Sequence, residues 1–144
     1  MTEKEALGFA LKALKTEQFA TFEENFAEGG KTELTTGLEF KLSKSQKQIG
    51  VYATFTFEQD GKAFIKIKVS CHFTIAPASW NASVAGDKIV FPGGFVRHLA
   101  TITIGTARGV LHAKTEGTPF NTFILPTINV QDLGNKDEEF PLGK

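Results

Sequence analysis

The sequence predicts an α+β domain: a four-stranded antiparallel meander sheet packed by one long C-terminal helix, with a short helix at the N-terminus. Three observations carry this expectation. From Leu34 to Ile75 apolar and polar residues alternate with a period of two, as strands with one dry face require. Polar and Asp-Gly connections break the alternation at hairpin intervals. From Phe95 to Ala113 the apolar period lengthens to that of a helix.

Element by element, Leu7, Ala10, Leu11 and Leu14 fall on one helical stripe, which predicts a helix over 3–15. Thr2 is positioned to cap it, with Glu5 as the capping-box partner. Phe19, Phe22 and Phe26 follow among acidic residues, a pattern open to a strand or to continuation of the helix, and Glu28-Gly29-Gly30-Lys31 is a turn. In 32–44, Leu34, Leu38, Phe40 and Leu42 share a face opposite Glu39, Lys41 and Ser43. In 49–58, Val51, Ala53, Phe55 and Phe57 oppose Tyr52, Thr54, Thr56 and Glu58. Asp60-Gly61 marks a tight hairpin. In 63–75, Ala63, Ile65, Ile67, Val69, Cys71, Phe73 and Ile75 face one way, and Lys66, Lys68, Ser70, His72 and Thr74 the other.

Residues 76–88 read as a connector holding Pro77 and Trp80. Ile89-Val90-Phe91 is a short apolar run stopped by Pro92-Gly93-Gly94. The helix of 94–115 carries Phe95, Leu99, Ile102, Thr106, Val110 and Ala113 on one stripe. Val96, Ala100, Thr103, Ala107 and Leu111 lie beside it. Gly105 and Gly109 mark close backbone approach or a break. Gly117-Thr118-Pro119 ends the helix, and Pro126 keeps 120–130 from being a central strand. Residues 1–133 thus make one domain, and 134–144 a mobile polar tail.

Composition narrows function. Sixteen basic residues balance sixteen acidic ones, without the cationic surplus that nucleic-acid binding needs. Cys71 is the lone cysteine, the opening residues hold no apolar signal core, and no apolar run spans a bilayer. A cytoplasmic protein without membrane insertion is expected. Fourteen phenylalanines stand against one Trp and one Tyr. Phe has no polar handle, so these residues serve a dry core or an apolar groove.

No reactive constellation emerges. His72 alternates outward with Lys66 and Lys68; Cys71 alternates inward beside Phe73, as a structural thiol would. His98 and His112 are too far apart on their helix to share a metal. Phe91-Pro92-Gly93-Gly94-Phe95 lacks the Lys-Ser/Thr of a phosphate loop. The expectation is a protein that is not an enzyme and uses no cofactor or metal.

From Ile89 onward the chain resembles SecB, the bacterial protein-export chaperone. Ile89-Val90-Phe91-Pro92 is similar to the apolar-Phe-Pro stretch before the SecB long helix, and Arg108-Gly109 matches an Arg-Gly pair in that helix. Gly117-Thr118-Pro119 resembles the turn after it. Leu125-Pro126-Thr127-Ile128-Asn129-Val130 resembles the closing Leu-x-Pro-x-Asn-Phe segment, and Phe73-Thr74-Ile75 the family's last strand. The chain departs from the family in a longer span between Phe91 and Gly117, in an Arg displaced to Arg97, and in lacking SecB's acidic balance.

The resemblance covers about 30–133 and implies a cytosolic dimer of dimers. Such a homo-oligomer holds unfolded or extended polypeptides without ATP and delivers them to SecA or, in some relatives, protects an antitoxin. The residues expected to contact clients are Phe91, Phe95, Phe120 and Phe123, with Ile124 and Leu125, flanking the ends of the helix. The alternative is a helix-grip carrier, in which the Phe-rich face lines a closed pocket for a small apolar ligand.

Overall fold

The computed structural model describes residues 7–127 and 136–142. Its main sheet has four antiparallel strands: β1 Phe9–Thr21, β2 Glu33–Ser43, β3 Gln48–Gln59 and β4 Lys62–Ile75. The α+β class, the sheet and the long helix are therefore as expected. The strand order β1-β4-β3-β2 differs from a simple meander. β2, β3 and β4 are joined by hairpins, and β1 lies on the far side of β4, reached by a crossing from Thr21 to Glu33.

The long helix α2, Gly93–Thr115, packs across the inner face of β3 and β4. Beneath it Val51, Ala53, Phe55, Ile67, Val69, Cys71 and Phe73 are buried, met by Leu99, Ile104, Ala107 and Leu111 from the helix. Burial of an aliphatic or Phe side chain stabilises by about 1.5–3 kcal/mol, so this layer is the principal source of stability. Among the buried polar side chains, Thr103 and Thr115 satisfy their hydroxyls by donating to the helix carbonyls of Leu99 (2.9 Å) and Leu111 (2.8 Å).

The expected N-terminal helix is corrected: Phe9–Thr21 is a strand, while the caps read at Thr2 and Glu5 lie outside the described residues. Phe9, Leu11, Leu14, Thr16 and Phe19 stand opposite Ile75, Phe73, Cys71, Val69 and Ile67. Irregularities between Leu11 and Ala13, and between Thr16 and Gln18, each add one residue to β1. Inward positions therefore recur at intervals of two and three in turn, which imitates a helical stripe.

A second bulge matters to the core. Phe57 pairs with Ile65 and Glu58 with Ala63, leaving Phe64 without an opposite residue. Phe64 and Ile65 are both fully buried, which strict alternation forbids.

The connector after β4 contains the helix α1, Pro77–Ser83, which starts on its proline and buries Trp80. Next come β5 Val84–Ala85 and β6 Lys88–Phe91. Within the segment read as a polar tail, β7, Glu138–Pro141, pairs antiparallel with β6 and completes a small three-stranded sheet.

Candidate functional site

The six residues expected to contact clients fall into two aromatic nests at opposite ends of α2. Its 23 residues separate them by roughly 35 Å. The first nest holds Phe91, at the end of β6, and Phe95, in the first turn of α2, with ring centroids 5.7 Å apart. Phe9 lies 5.6 Å from Phe95, and Phe140 lies 6.2 Å from Phe91. Phe91 is fully buried and Phe95 half-buried.

The second nest follows α2. Thr118 accepts a hydrogen bond from the Phe120 amide and opens a 3-10 turn, Pro119–Thr122, that folds Phe120 back under the helix. Phe120 and Leu125 are buried, Phe123 is half-buried, and Ile124 is 61% exposed. Arg108 secures this segment by donating from Nε to the Leu125 carbonyl (2.8 Å) and from Nη2 to the Pro126 carbonyl (2.9 Å). Phe26 and Phe64 complete the nest; Phe26 lies 5.3 Å from Phe120 and 5.8 Å from Phe123. An open depression of about 380 Å3 is bordered by Phe26, Phe120, Pro119, Glu23 and Glu28.

Phe91, Phe120 and Leu125 are thus core residues, whereas Phe123, Ile124 and Phe95 reach the surface. The part of the SecB-like closing segment at Ile128-Asn129-Val130 lies outside the described residues. Phe26 and Phe64 were not among the expected contacts; the sequence signal for Phe26 was its place in an acidic, turn-flanked segment.

A further apolar strip lies on the inner face of β1. Leu11 and Leu14 are 43% and 50% exposed, although they share a face with buried Phe73 and Cys71. The helix stops short of them, and β1 is an end strand of the sheet, so its outer edge has no strand beside it among the described residues.

On the outer face of the sheet a polar group forms that the sequence did not single out. The Ser70 hydroxyl donates to Glu17 Oε2 at 2.6 Å, so it accepts from His72 Nε2–H at 2.9 Å. Ser70 is fully buried and its proton is already committed to the carboxylate, which suits a brace between β1 and β4. A hollow of about 370 Å3 beside it is lined by Lys15, Lys41, Tyr52 and His72. Lys41 and Lys68 both lie over the Tyr52 ring, at 4.6 and 5.6 Å. The other histidines stand apart: His98 contacts the Phe9 ring, and His112 faces Glu116 at 3.5 Å. Cys71 is buried. Among the described residues no helix is long and apolar enough to cross a membrane.

Burial, and next the Lys15 ammonium, hold the His72 pKa below its usual 6.5, against the opposing pull of Glu17. The unfolded chain therefore binds the proton more readily, so this group's share of stability is complete above pH 6.5 and is lost as pH falls from 6.5 toward the depressed pKa. Thermal melts on either side of that interval are expected to show a smaller pH effect for His72→Gln than for the parent. Equal pH effects would exclude His72 as a contributor.

Comparison with protein-family models gives no match, and neither does comparison with curated proteins.

Proposed function

We propose that this chain is an ATP-independent, SecB-like holdase that binds unfolded polypeptides as a homo-oligomer, in the service of protein export or antitoxin protection. The observation that carries the reading is the placement of its uncovered apolar surface. Leu11 and Leu14 stand about half exposed on an end strand whose outer edge has no strand beside it among the described residues, and Ile124 is exposed next to half-buried Phe123 of the second nest. Exposed apolar patches on a folded chain mark surfaces for other polypeptides. The Leu11–Leu14 strip and its strand edge suit a second copy of the chain, and an extended client offers its side chains to the aromatic nest.

The carrier alternative draws less support. A helix-grip carrier would keep its ligand between helix and sheet, and here that layer is filled by Ala53, Phe55, Ile67, Ile104 and Ala107.

The test is light scattering with and without a chemically unfolded model polypeptide. A mass of four chains of 15.7 kDa that takes up the unfolded polypeptide but not its folded form is the expected result. A single-chain mass indifferent to the unfolded form would overturn the reading. Ile124→Ser and Phe123→Ser are expected to weaken uptake by about tenfold each, near 1.4 kcal/mol. Unaltered uptake by these folded variants would remove the second nest from the client path. Phe120→Ser does not serve this purpose, because Phe120 is buried and its loss acts first on folding.

A further inference from the structure

The small sheet of β5, β6 and β7 is built unlike the main one. β6 is a four-residue strand whose one edge carries the two-residue β5 and whose other edge carries β7. β7 comes from the end of the described chain and pairs Lys88 with Pro141, Ile89 with Phe140, Val90 with Glu139 and Phe91 with Glu138. Beyond the strand, the Leu142 amide donates to the Asp87 carbonyl at 2.8 Å, and the Leu142 carbonyl accepts from Lys44.

Side chains add a specific pattern to this backbone pairing. Asp137 Oδ1 accepts from the Gly93 amide at 2.8 Å, in the first turn of α2. That amide has no partner within its own helix. Glu139 meets Lys88 at 3.1 Å, and Phe140 enters the nest around Phe91. The segment is thus held as an extended peptide ligand is held: by an edge, one aromatic anchor and flanking carboxylates.

The hold is light. The Lys88–Glu139 pair is about half-exposed on both sides, and such pairs contribute little. Glu138 and Phe140 are only half-buried, and Glu139 and Pro141 are exposed.

We infer that the β6 edge and the Phe91 nest form a binding site for extended polypeptide segments bearing an aromatic residue flanked by acids, with Glu138–Pro141 as its resident competitor. This rests on the holdase reading and names a site for it. A client segment binds by displacing β7 and takes over the same edge, the same nest and the carboxylate positions at Gly93 and Lys88.

The experiment uses the full chain carrying Val90→Cys and Glu139→Cys. These residues are opposite each other across the β6–β7 pair, at a spacing that a disulfide spans, and Cys71 is buried away from them. Two probes are used: a fluorescent peptide of residues 136–142, and a chemically unfolded model polypeptide. Oxidation, which locks β7 in place, is expected to weaken both by about tenfold or more, and reduction to restore both. In a second full-length variant, Phe140→Ala, the peptide is expected to bind about tenfold tighter than to the parent, because the internal competitor has lost its anchor. A peptide with its Phe replaced by Ser should not bind.

Uptake of the unfolded polypeptide that ignores the lock keeps the holdase reading and overturns this site. Lock-dependent peptide binding with no uptake of the unfolded polypeptide keeps the site as a peptide slot and overturns the holdase reading. Peptide binding that ignores both the lock and Phe140→Ala overturns the inference outright.

Discussion

Phe64→Ala is expected to destabilise the chain by about 3–5 kcal/mol, the upper range for a truncated core aromatic. The ring is fully buried and sits at the centre of the second nest. Its centroid lies 4.9 Å from Phe26, 5.2 Å from Phe123, 5.6 Å from Phe120 and 6.3 Å from Phe57. Removing it takes a neighbour from four rings at once, and each aromatic pair adds about 0.5–1.5 kcal/mol beyond area burial. The site cannot collapse easily, because Phe64 occupies the bulge where β4 steps out of register with β3. The expected loss is a large part of the 5–15 kcal/mol typical of a whole domain. Urea unfolding followed by circular dichroism checks it, with Phe22→Ala, on a partly exposed ring, as a comparison expected to cost under about 1 kcal/mol. A loss below 1 kcal/mol for Phe64→Ala would mean that the nest does not pack as described.

Phe64 also shows where legibility stopped. The hairpins from β2 to β4 were plain in the sequence because their alternation runs unbroken through Leu38–Leu42, Val51–Phe57 and Ile65–Ile75, and a one-residue slip would have turned every apolar residue to water. A bulge destroys that signal locally. The one at Phe64 hid a core residue, and the two in β1 turned a strand into the likeness of a helical stripe. β7 was illegible for another reason: three acids and a proline around Phe140 have no strand character of their own, and β6 supplies the pairing. The candidate contacts suffered from a related limit. Apolar residues announce burial somewhere, but whether Phe120 or Ile124 meets the core depends on the 3-10 turn begun at Thr118 and the Arg108 clamp. Neither device has an apolar period to read.

The bulged β1 strand carries the second large effect, in assembly rather than folding. The twin substitution Leu11→Glu with Leu14→Glu is expected to convert the proposed oligomer to smaller units. Both side chains already stand about half in water, so their replacement costs the single chain little. If the strip is covered by a second copy, the half of each leucine still in water is buried there, and the two together contribute about 1.5–3 kcal/mol to that contact, a change of roughly 10–10² in its dissociation constant. A C2 contact would double the penalty, because each substituted strip would face its own copy and like charges would meet across the axis. The strand is suited to such a contact: it is thirteen residues long and an end strand of the sheet. Long open edges are places where chains pair unless a device blocks them. Light scattering at matched concentration gives the answer, with melting temperature as the control for folding. A variant that melts like the parent yet scatters as a 15.7 kDa chain would make β1 the assembly edge. A variant that keeps the parent's mass would move the interface elsewhere and leave Leu11 and Leu14 as exposed surface available to an extended client.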